Sequence, residues 1–546
     1  MAGYSNIHKY KRPPLDEYWD YIINRRDLLV PQDIRERKGS FFTPRQWVEL
    51  SQKYIGDALG DDWQNEYVIW DCAAGTGNLL AGLTNKYNIW ASTLDKADVD
   101  VIHDRIKNGA NLLGSHVFQF DFLNDSFDKL PKSLLAIINN EKRRKKLIIY
   151  INPPYAEHGS TISKKHKTGV SMGNAVLEKY GSSFGPSSRE LYAQFIIRFY
   201  KEIYGCKIGI FSKLKHLQAN NFKQFRLSYK AKYIKGFLVP ASTFDNVKGN
   251  FPIAFQIWDT FKNSKNNMVR FDIYDADGNF IAKKTIINTD NAFPITKWIK
   301  EYEKKSLHKP SDTIGLLNGG RTDFQNQNLV FLVNSKHPVS DMAGYYNVYK
   351  DNLRHTCIYI SVRKCIKSDW INDRDQFLYP NDGWKDDTEF QNDCLAYTLF
   401  TNNIQSKYGV NHWIPFTEEE VNARSNFDSH FMTSFIGGKI IQNGYSDLFF
   451  DSNKKYKPLK FSSEAKSVFK DGKKLWQYYH AQPSVNVNAS LYDIREYFQG
   501  RDSSGKMNNK SGDDAYTALI GDLRSALKIL AEKIQPKVYE YGFLLK

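Results

Sequence analysis

The chain has 546 residues, with 76 lysines and arginines against 60 aspartates and glutamates, so its formal net charge is +16. A chain of this length has room for two to four domains, since domains average roughly 150 residues. Its 41% hydrophobic and 25% charged residues are typical of globular proteins and exclude disorder of the whole chain. No apolar run approaches the ~20 residues that a membrane span needs, and the N-terminus has no secretory-signal pattern.

Five cysteines are scattered along the chain without a CxxC pair, at Cys72, Cys206, Cys357, Cys365 and Cys394. This spacing predicts neither a zinc site nor a disulfide framework, so we expect no metal and a reducing, cytoplasmic setting. Aromatic residues make up 14% of the chain. A basic chain rich in aromatic side chains fits nucleic-acid binding, because phosphates attract lysine and arginine and unstacked bases pack on flat rings. Many soluble proteins are mildly basic, so composition alone does not decide this.

The first half of the chain has an alternating pattern. Residues 1–38 are polar and charged, and they are predicted to form an N-terminal arm. From residue 39 to about 259, short β-branched or aromatic runs alternate with helical patterns at 46–59 and 189–203. The predicted strands are 67–71, 89–95, 117–121, 147–151, 207–211, 237–240 and 253–258. Such alternation is typical of an α/β fold with a mostly parallel sheet and helices on both faces.

The second half has a different pattern. Residues 263–350 combine short strands with turn signals, and 351–500 have no regular period. A helix is predicted over 513–534 and is expected to end before Pro536. We therefore place a domain boundary near residue 262, between an α/β domain at 39–262 and an α+β domain at 263–546.

The first motif that indicates chemistry is a glycine turn directly after the strand at 67–71. It reads Asp71, Cys72, Ala73, Ala74, Gly75, Thr76, Gly77 and Asn78. Glycines between a strand and a helix let the backbone approach a ligand closely. The turn is not a P-loop, since no Gly-Lys-Ser/Thr follows, and it is not a full GxGxxG. By itself it is equally compatible with an ordinary strand-to-helix turn.

Acidic residues end three successive predicted strands. Asp95 and Asp121 follow Asp71 in this series, and Phe122 comes directly after Asp121. In doubly wound folds a carboxylate at this edge can accept hydrogen bonds from ribose hydroxyls. A single aspartate there is most often a helix N-cap, but three in order beside a glycine turn favour a ligand site.

Residues 152–155, Asn-Pro-Pro-Tyr, follow the apolar strand at 147–151. Pro153 and Pro154 make the loop rigid and remove two hydrogen-bond donors. The Asn152 side chain and the Pro153 carbonyl are then two acceptors held together, which suits the two hydrogens of an exocyclic amine. Tyr155 can stack on a base. The alternative is an ordinary Asn-Pro turn.

These motifs resemble the gamma class of adenine-N6 DNA methyltransferases, which use S-adenosylmethionine. In that family a Phe/Tyr-Thr-Pro segment, a glycine turn, two acids and Asn-Pro-Pro-Tyr occur in this order. Here the matching residues are Gly39, Ser40, Phe41, Phe42, Thr43 and Pro44, then 71–78, Asp95, Asp121 with Phe122, and 152–155. The resemblance covers about residues 39–260 and implies a Rossmann-like methyltransferase sheet. Ala74 stands where the family often has Cys, and Cys72 where it often has Pro; this should alter packing rather than chemistry.

The resemblance implies roles for individual residues. Phe42, Thr43 and Pro44 would help to close the cofactor pocket, and Asp71, Ala73, Gly75, Gly77 and Asn78 would border the methionine part of the cofactor. Asp95 would bind the ribose, and Asp121 with Phe122 the adenine. Asn152, with Pro153 and Pro154, would hold the target amine in the catalytic loop, and Tyr155 would stack on the flipped base. No metal is required.

Two further groups are candidates for substrate contacts. Phe251, in the Gly-Asn-Phe-Pro turn at 249–252, could cover the other face of the flipped base, although a buried hairpin aromatic is nearly as plausible. The loop at 156–190 is rich in Gly, Ser and Lys, and Lys164 and Lys165 could contact phosphates.

The second half is long enough for a DNA target-recognition domain. The stretch at 314–322 resembles the start of such domains in single-chain methyltransferases. Because only 38 residues precede Gly39, we expect a self-contained restriction-modification methyltransferase without an obligate specificity subunit or a fused nuclease; a separate restriction endonuclease is compatible with this. The expected partner is double-stranded DNA and not a membrane.

Three alternatives remain open. The same loop chemistry could act on RNA or on a protein glutamine. A cytosine N4 amine needs the same two acceptors as adenine N6. Finally, the chain could be a DNA-binding protein with a vestigial methyltransferase fold, although the intact acids and residues 152–155 argue against decay.

Overall fold

The computed structural model describes residues 42–545, apart from 156–172, 245–246, 248, 289, 291, 304–306, 340, 342 and 441–456. The chain divides into two compact units, one ending at Asp290 and the other beginning at Asn291. The arm at 1–38 and the candidate phosphate contacts Lys164 and Lys165 lie outside the described residues.

The described part of the first unit is built on a nine-stranded sheet. Its strands are β1 Val68–Asp71, β2 Ile89–Thr93, β3 Val117–Gln119, β4 Leu147–Ile151, β5 Lys207–Ser212, β6 Ala231–Pro240, β7 Pro252–Asn263, β8 Met268–Tyr274 and β9 Phe280–Ile287. Their spatial order is β3-β2-β1-β4-β5-β7-β6-β8-β9. Strands β1 to β5 are parallel, whereas β7 is antiparallel to both β5 and β6. This is the doubly wound, Rossmann-like α/β sheet that the sequence predicts.

The strand order places two loops at one edge of the sheet. The chain runs outwards from β1 to β3 and then returns to β4 on the other side of β1. Doubly wound sheets bind ligands outside the carboxyl ends of their strands, at the point where the order reverses. The glycine turn follows β1 and residues 152–155 follow β4, so the fold brings both motifs to this point.

Helices pack against this sheet. In the described part of the first unit they are Arg45–Leu59, Trp63–Glu66, Lys96–Lys107, Lys132–Ile138, Glu141–Arg144, Ala175–Phe184, Leu191–Glu202, Lys215–Gln218 and Lys223–Ser228. The helix Arg45–Leu59 contacts β6 and β7 and buries Trp47 and Tyr54 in the core. It begins directly after Pro44 and therefore fixes the position of residues 42–44.

The sheet continues beyond the domain boundary expected near residue 262. Strand β7 ends at Asn263, and β8 then pairs in parallel with β6 through Phe237 opposite Asp272 and Leu238 opposite Ile273. Because β8 and β9 complete the edge of the same sheet, the first unit extends to Asp290.

The second unit is mainly helical over its described residues. Its helices are Ile295–Tyr302, Leu353–Lys364, Thr388–Leu399, Glu418–Val421, Phe431–Ile436, Ser463–His480, Leu491–Gln499 and Asp514–Glu540. A small antiparallel sheet has the order β11-β10-β12 and consists of β10 Gly315–Asn318, β11 Phe331–Val333 and β12 Tyr345–Val348. No described helix is both long enough and apolar enough to cross a bilayer.

The last helix does not end before Pro536, and that expectation was wrong. Asp514–Glu540 runs through the proline. A proline within a helix removes one backbone hydrogen bond, but packing can outweigh this cost. Here Ile534 and Val538 are buried on either side of Pro536, and Tyr541 and Phe543 are buried just beyond the helix, so the final turn is held by the core.

Candidate functional site

A cavity of about 440 Å³ opens where the strand order reverses. It is lined by loops that follow β1, β2, β3 and β4, together with residues 42–43 and part of the helix Leu191–Glu202. Its lining residues include Phe42, Thr43, Asp71, Ala73, Gly75, Asn78, Asp95, Asp121, Phe122, Asn152 and Pro154. Eleven sequence-predicted residues therefore lie around one space, although they are spread over more than a hundred residues of the chain.

The glycine turn forms one wall of the cavity. Asp71 ends β1 with its side chain buried, and its Oδ1 accepts a hydrogen bond of 3.1 Å from the Ala73 amide. Gly75 and Gly77 have φ angles of 53° and 82°, which side chains with a Cβ rarely adopt. The turn leads into the short 3₁₀ helix Asn78–Leu80. Gly82, two residues after this 3₁₀ helix, also has a positive φ, so the helix does not continue there.

The carboxyl group of Asp71 has unusual electrostatics. Burial raises its pKa to about 7, and the hydrogen bond from the Ala73 amide only partly opposes this shift. Burial disfavours the charged form of a carboxyl group unless a cation lies nearby. A cationic ligand in the cavity would therefore be stabilised by Asp71 and would in turn stabilise the ionised carboxylate.

Asp95 occupies the N-cap position of the helix Lys96–Lys107, but its side chain makes no capping hydrogen bond. The capping interpretation of this residue therefore does not account for its carboxylate, which lines the cavity instead. Its neighbour Leu94 also lines the cavity and is 58% exposed. An exposed leucine beside a carboxylate offers an apolar face and hydrogen-bond acceptors at the same place.

Asp121 organises the next loop. Its Oδ1 accepts from the Leu123 and Asn124 amides at 2.9 and 3.2 Å, and its Oδ2 accepts from Asn124 Nδ2 at 2.8 Å. A carboxylate has about four lone-pair positions, so these three bonds leave acceptor capacity on Oδ2. Asp121 is therefore both a turn-forming residue and a candidate ligand contact.

Phe122 is packed into the protein on one side and lines the cavity on the other. Its ring stacks on Phe195 with centroids 5.1 Å apart and an interplanar angle of 14°. The buried Arg198 lies over the Phe122 ring and donates to the carbonyls of Phe122 and Asp125. Glu202 forms an ion pair with this arginine at 2.8 Å, so Arg198 is fixed where it holds the loop after β3.

Thr43 connects the glycine turn to the loop after β4. Its carbonyl accepts a hydrogen bond of 2.7 Å from Asn78 Nδ2, and its hydroxyl oxygen accepts one of 2.9 Å from Asn152 Nδ2. The second bond orients the Asn152 amide. Tyr155 then donates from its hydroxyl to Asn152 Oδ1 at 2.6 Å. No hydrogen bond among the described residues ends on the Pro153 carbonyl.

The two aromatic candidates lie beside the cavity and do not line it. Tyr155 is buried and Phe251 is half-buried. Lys213 Nζ lies 5.9 Å from the centroid of the Tyr155 ring and 5.8 Å from that of the Phe251 ring. Pro44 and Pro153 are also outside the lining, and Gly77 faces a second cavity of about 470 Å³.

Sequence reasoning missed several lining residues. Leu94 and Asp98 follow β2 closely and could have been found by extending the search past the strand end. Asn174, Leu191 and Phe195 come from a part of the chain that is far from any motif. Nothing in their sequence indicates a ligand, because only the tertiary fold brings the helix Leu191–Glu202 to the cavity.

No protein-family model and no curated protein sequence matches the chain. Solved structures resemble it in fold. The type IIL restriction-modification enzyme MmeI in complex with DNA has 11% identity over 94% of this chain and 78% of its own, with a TM-score of 0.36. DrdV in its DNA complex has 13% identity over 47% of this chain and 30% of its own, with a TM-score of 0.35.

A third similar structure is the methyltransferase subunit of a type I restriction-modification system from Streptococcus thermophilus. It has 15% identity over 42% of this chain and 46% of its own, with a TM-score of 0.31. The chain thus spans less than half of the length of DrdV and of this subunit. At these identities the similarities concern the fold alone, and the function proposed below rests on the site.

Proposed function

We propose that this chain is a site-specific DNA methyltransferase. It transfers a methyl group from S-adenosylmethionine to the exocyclic N6 amine of an adenine that has been flipped out of double-stranded DNA. The observation that supports this most strongly is the cavity that Asp71, Asp95, Asp121, Asn152 and Pro154 line together, with Pro153 and Tyr155 beside it. This arrangement combines a site for a cationic nucleoside with two acceptors for an amine.

The cavity suits S-adenosylmethionine in size and in chemistry. Its volume of about 440 Å³ falls in the range of roughly 300–1,000 Å³ that is common for small-molecule sites. When bound, S-adenosylmethionine supplies a methyl group carried on a positively charged sulfur. Asp71 would hold the cationic methionine end, because its buried carboxyl group is stabilised in the ionised form by a nearby positive charge.

Residues on the other side of the cavity suit the nucleoside. Asp95 would accept hydrogen bonds from the ribose hydroxyls. Leu94 and Phe122 would pack on the faces of the adenine, while the remaining acceptor capacity of Asp121 would bind its amine. Thr43 would keep this pocket next to the reacting loop through its bonds to Asn78 and Asn152.

The loop after β4 would bind and activate the target amine. An adenine amine is a weak nucleophile, because its lone pair is delocalised into the ring. Asn152 Oδ1 has a second lone-pair direction besides the one used by Tyr155, and the Pro153 carbonyl is a second acceptor. Hydrogen bonds to these two oxygens would favour a pyramidal nitrogen with its lone pair exposed. Thr43 fixes the amide in the orientation that presents Oδ1.

Tyr155 and Phe251 would bind the faces of the flipped base. Flipping costs a few kcal/mol, and stacking on aromatic side chains offsets it, at ~1–3 kcal/mol per base. Residues 291–546 would then supply the target-recognition domain, since sequence reading needs side chains at base edges beyond the methyltransferase unit. The net charge of +16 suits contact with DNA phosphates.

The test is transfer of labelled methyl groups from S-adenosylmethionine to unmethylated genomic DNA, followed by nucleoside analysis and mapping of the modified positions. We expect label in N6-methyladenine at one recurring motif. Asn152→Ala is the matched inactive control, because it removes one acceptor while leaving the cofactor-binding acids in place.

The same experiment separates the alternatives. Label in N4-methylcytosine would move the target to cytosine, and label only in RNA or in glutamine-containing protein would exclude a DNA substrate. A chain that binds DNA without measurable affinity for S-adenosylmethionine would be a binding protein with a vestigial fold, and the proposal would be abandoned.

A further inference from the structure

A loop of the second unit, at 319–323, is held in place by a buried arginine. The loop directly follows β10 and does not belong to the cavity described above. Arg363 contacts it from the protein interior, and its side chain is fully buried. Its guanidinium donates to the carbonyls of Gly319, Arg321 and Asp323 at 3.3, 2.6 and 3.2 Å. One side chain therefore binds three carbonyls of the same loop.

The positive charge of Arg363 makes the loop conformation matter for stability. In the part of the chain that the structure describes, no carboxylate lies within ion-pair distance of this guanidinium, and burial lowers its pKa. A buried charge without an ion pair is unfavourable unless hydrogen bonds to it offset the loss of water. Because the loop carbonyls provide these bonds, any other loop conformation would leave the arginine unsatisfied.

Further contacts fix the remaining backbone of the loop. The Tyr359 hydroxyl donates to the Gly319 carbonyl at 2.7 Å, and the Phe377 amide donates to the Thr322 carbonyl at 2.8 Å. Gly320 has a φ of 60°, which residues with a Cβ rarely adopt. Four of the five loop carbonyls thus accept hydrogen bonds, and the backbone is fixed before any ligand arrives.

The side chain of Arg321 projects from this fixed backbone. It is exposed, and its guanidinium forms no hydrogen bond or ion pair with another described residue. Arg374 is different, because it forms an ion pair with Asp373 at 3.1 Å and donates to Gln325. Arg321 therefore offers a planar set of donors to an external partner.

The acidic surroundings indicate what kind of partner this is. Burial raises the pKa of Asp373, Arg374 opposes the shift, and Asp323 and Asp375 lie near enough to add to it. Such a group of acids disfavours the close approach of a phosphate, whereas base edges present donors as well as acceptors. Guanine presents N7 and O6 side by side in the major groove, and one arginine can bind both.

We propose that Arg321 is a specificity-determining residue that recognises a guanine of the target motif through its N7 and O6 atoms. This rests on the proposed function, since it takes residues 291–546 as the target-recognition domain. Two simultaneous hydrogen bonds to one base require a well-defined position of the guanidinium. The bonds from Arg363 supply it, because a backbone that is already ordered loses little freedom on binding.

The experiment maps the methylated motif on unmethylated genomic DNA for the wild type and Arg321→Gln. The wild type should require a G·C pair at a position where the variant also accepts other pairs, with discrimination lowered about tenfold or more. Arg321→Gln keeps the carbonyl to which Arg363 donates, and its unfolding temperature should equal that of the wild type. Arg524→Gln is the matched control. It removes an exposed arginine from the helix Asp514–Glu540 and should leave the motif unchanged.

Binding of a duplex that contains the motif, at several salt concentrations, distinguishes a base contact from a phosphate contact. Each neutralised phosphate contributes about 0.9 to the slope of log affinity against log salt. Arg321→Gln should lower the affinity and keep the slope of the wild type. Competition by duplexes changed at one base pair at a time gives the same comparison by position if the variant transfers methyl groups too slowly for mapping.

The outcomes are distinguishable. Methylation of DNA by the wild type, with the same base preferences in Arg321→Gln, would overturn the role of Arg321 alone. A slope lowered by about 0.9 would place this arginine on a phosphate, and relaxation at an A·T pair would assign it to another base; either result would also overturn the role. A wild type that transfers no methyl groups to DNA would overturn the proposed function, and the role of Arg321 with it.

Discussion

The raised pKa of the Asp71 carboxyl group predicts that cofactor affinity depends on pH. Its pKa in the folded protein is raised to about 7 by burial, above the ordinary value near 4. If the cationic cofactor needs the ionised carboxylate, its affinity should fall about tenfold from pH 8 to pH 6. Titration calorimetry across this range should show the fall in the wild type and a flat profile in Asp71→Asn, whose overall affinity is lower.

The same shift has a consequence for stability without ligand. A group whose pKa is raised on folding contributes stability below its unfolded pKa and loses that contribution as pH rises through the folded pKa. The wild type should therefore lose stability relative to Asp71→Asn as the pH rises from 4 to 8. Urea unfolding at both pH values measures it, and equal differences at the two pH values would contradict the assigned burial effect.

Asp95 and Tyr155 should separate cofactor binding from methyl transfer. Asp95→Ala removes hydrogen bonds to a charged acceptor, each contributing ~1.5–3 kcal/mol, so cofactor affinity should drop at least about tenfold while transfer at saturating cofactor is largely retained. Tyr155→Ala should do the reverse, because it removes a stacking partner of the base but no lining residue of the cavity. Equal loss of both properties in both variants would indicate misfolding and remove the support for these roles.

Thr43 connects three structural elements, because it links the segment before the helix Arg45–Leu59 by hydrogen bonds to two loops. Its hydroxyl anchors Asn152, whereas its backbone carbonyl holds Asn78. Thr43→Val keeps the shape and the carbonyl but loses the hydroxyl. Methyl transfer should fall at least about tenfold, since a misoriented Asn152 amide no longer presents its oxygen, while cofactor affinity changes little. Thr43→Ser is the control and should retain activity.

The elements differ in how far the sequence predicts them. Strand β4 was predicted to the residue, because a strand buried on both faces is a continuous apolar run. The helices Leu353–Lys364 and Thr388–Leu399 were not predicted. Nine and ten of their twelve residues are buried, so no polar face remains to produce a helical period.

Whether a residue of the candidate site could be predicted also depends on whether its position is set by local sequence or by tertiary packing. Residues within two positions of a strand end, such as Asp95 and Asn152, were predicted from local sequence, and the structure gathers them around the cavity. Phe195 and Lys213 were not, because their positions depend on how a distant helix and β5 pack. A lysine next to a strand has no distinguishing pattern, and its contact with Tyr155 exists only in three dimensions.

At the scale of the whole molecule, the extent of the sheet decides where the chain can be divided. The boundary expected near residue 262 would remove β8 and β9, although Phe271 and Ile273 on β8 are buried. Phe271 packs on Tyr233 with ring centroids 5.3 Å apart, and Tyr54 donates to Asp272 at 2.5 Å. Each large apolar side chain contributes ~1.5–3 kcal/mol when buried, so their joint loss is comparable to the stability of a typical domain.

We therefore expect two fragments to behave differently. Residues 1–290 should fold, unfold cooperatively and bind S-adenosylmethionine with the affinity of the full chain. Residues 1–262 should be insoluble or lack a cooperative transition, because β6 becomes an open edge with its core partners missing. If residues 291–546 read the DNA sequence, the longer fragment should also lose motif-specific methylation while keeping cofactor affinity. Thermal unfolding and calorimetry of both fragments make the test, and a stable, cofactor-binding 1–262 fragment would show that β8 and β9 do not belong to the folding unit.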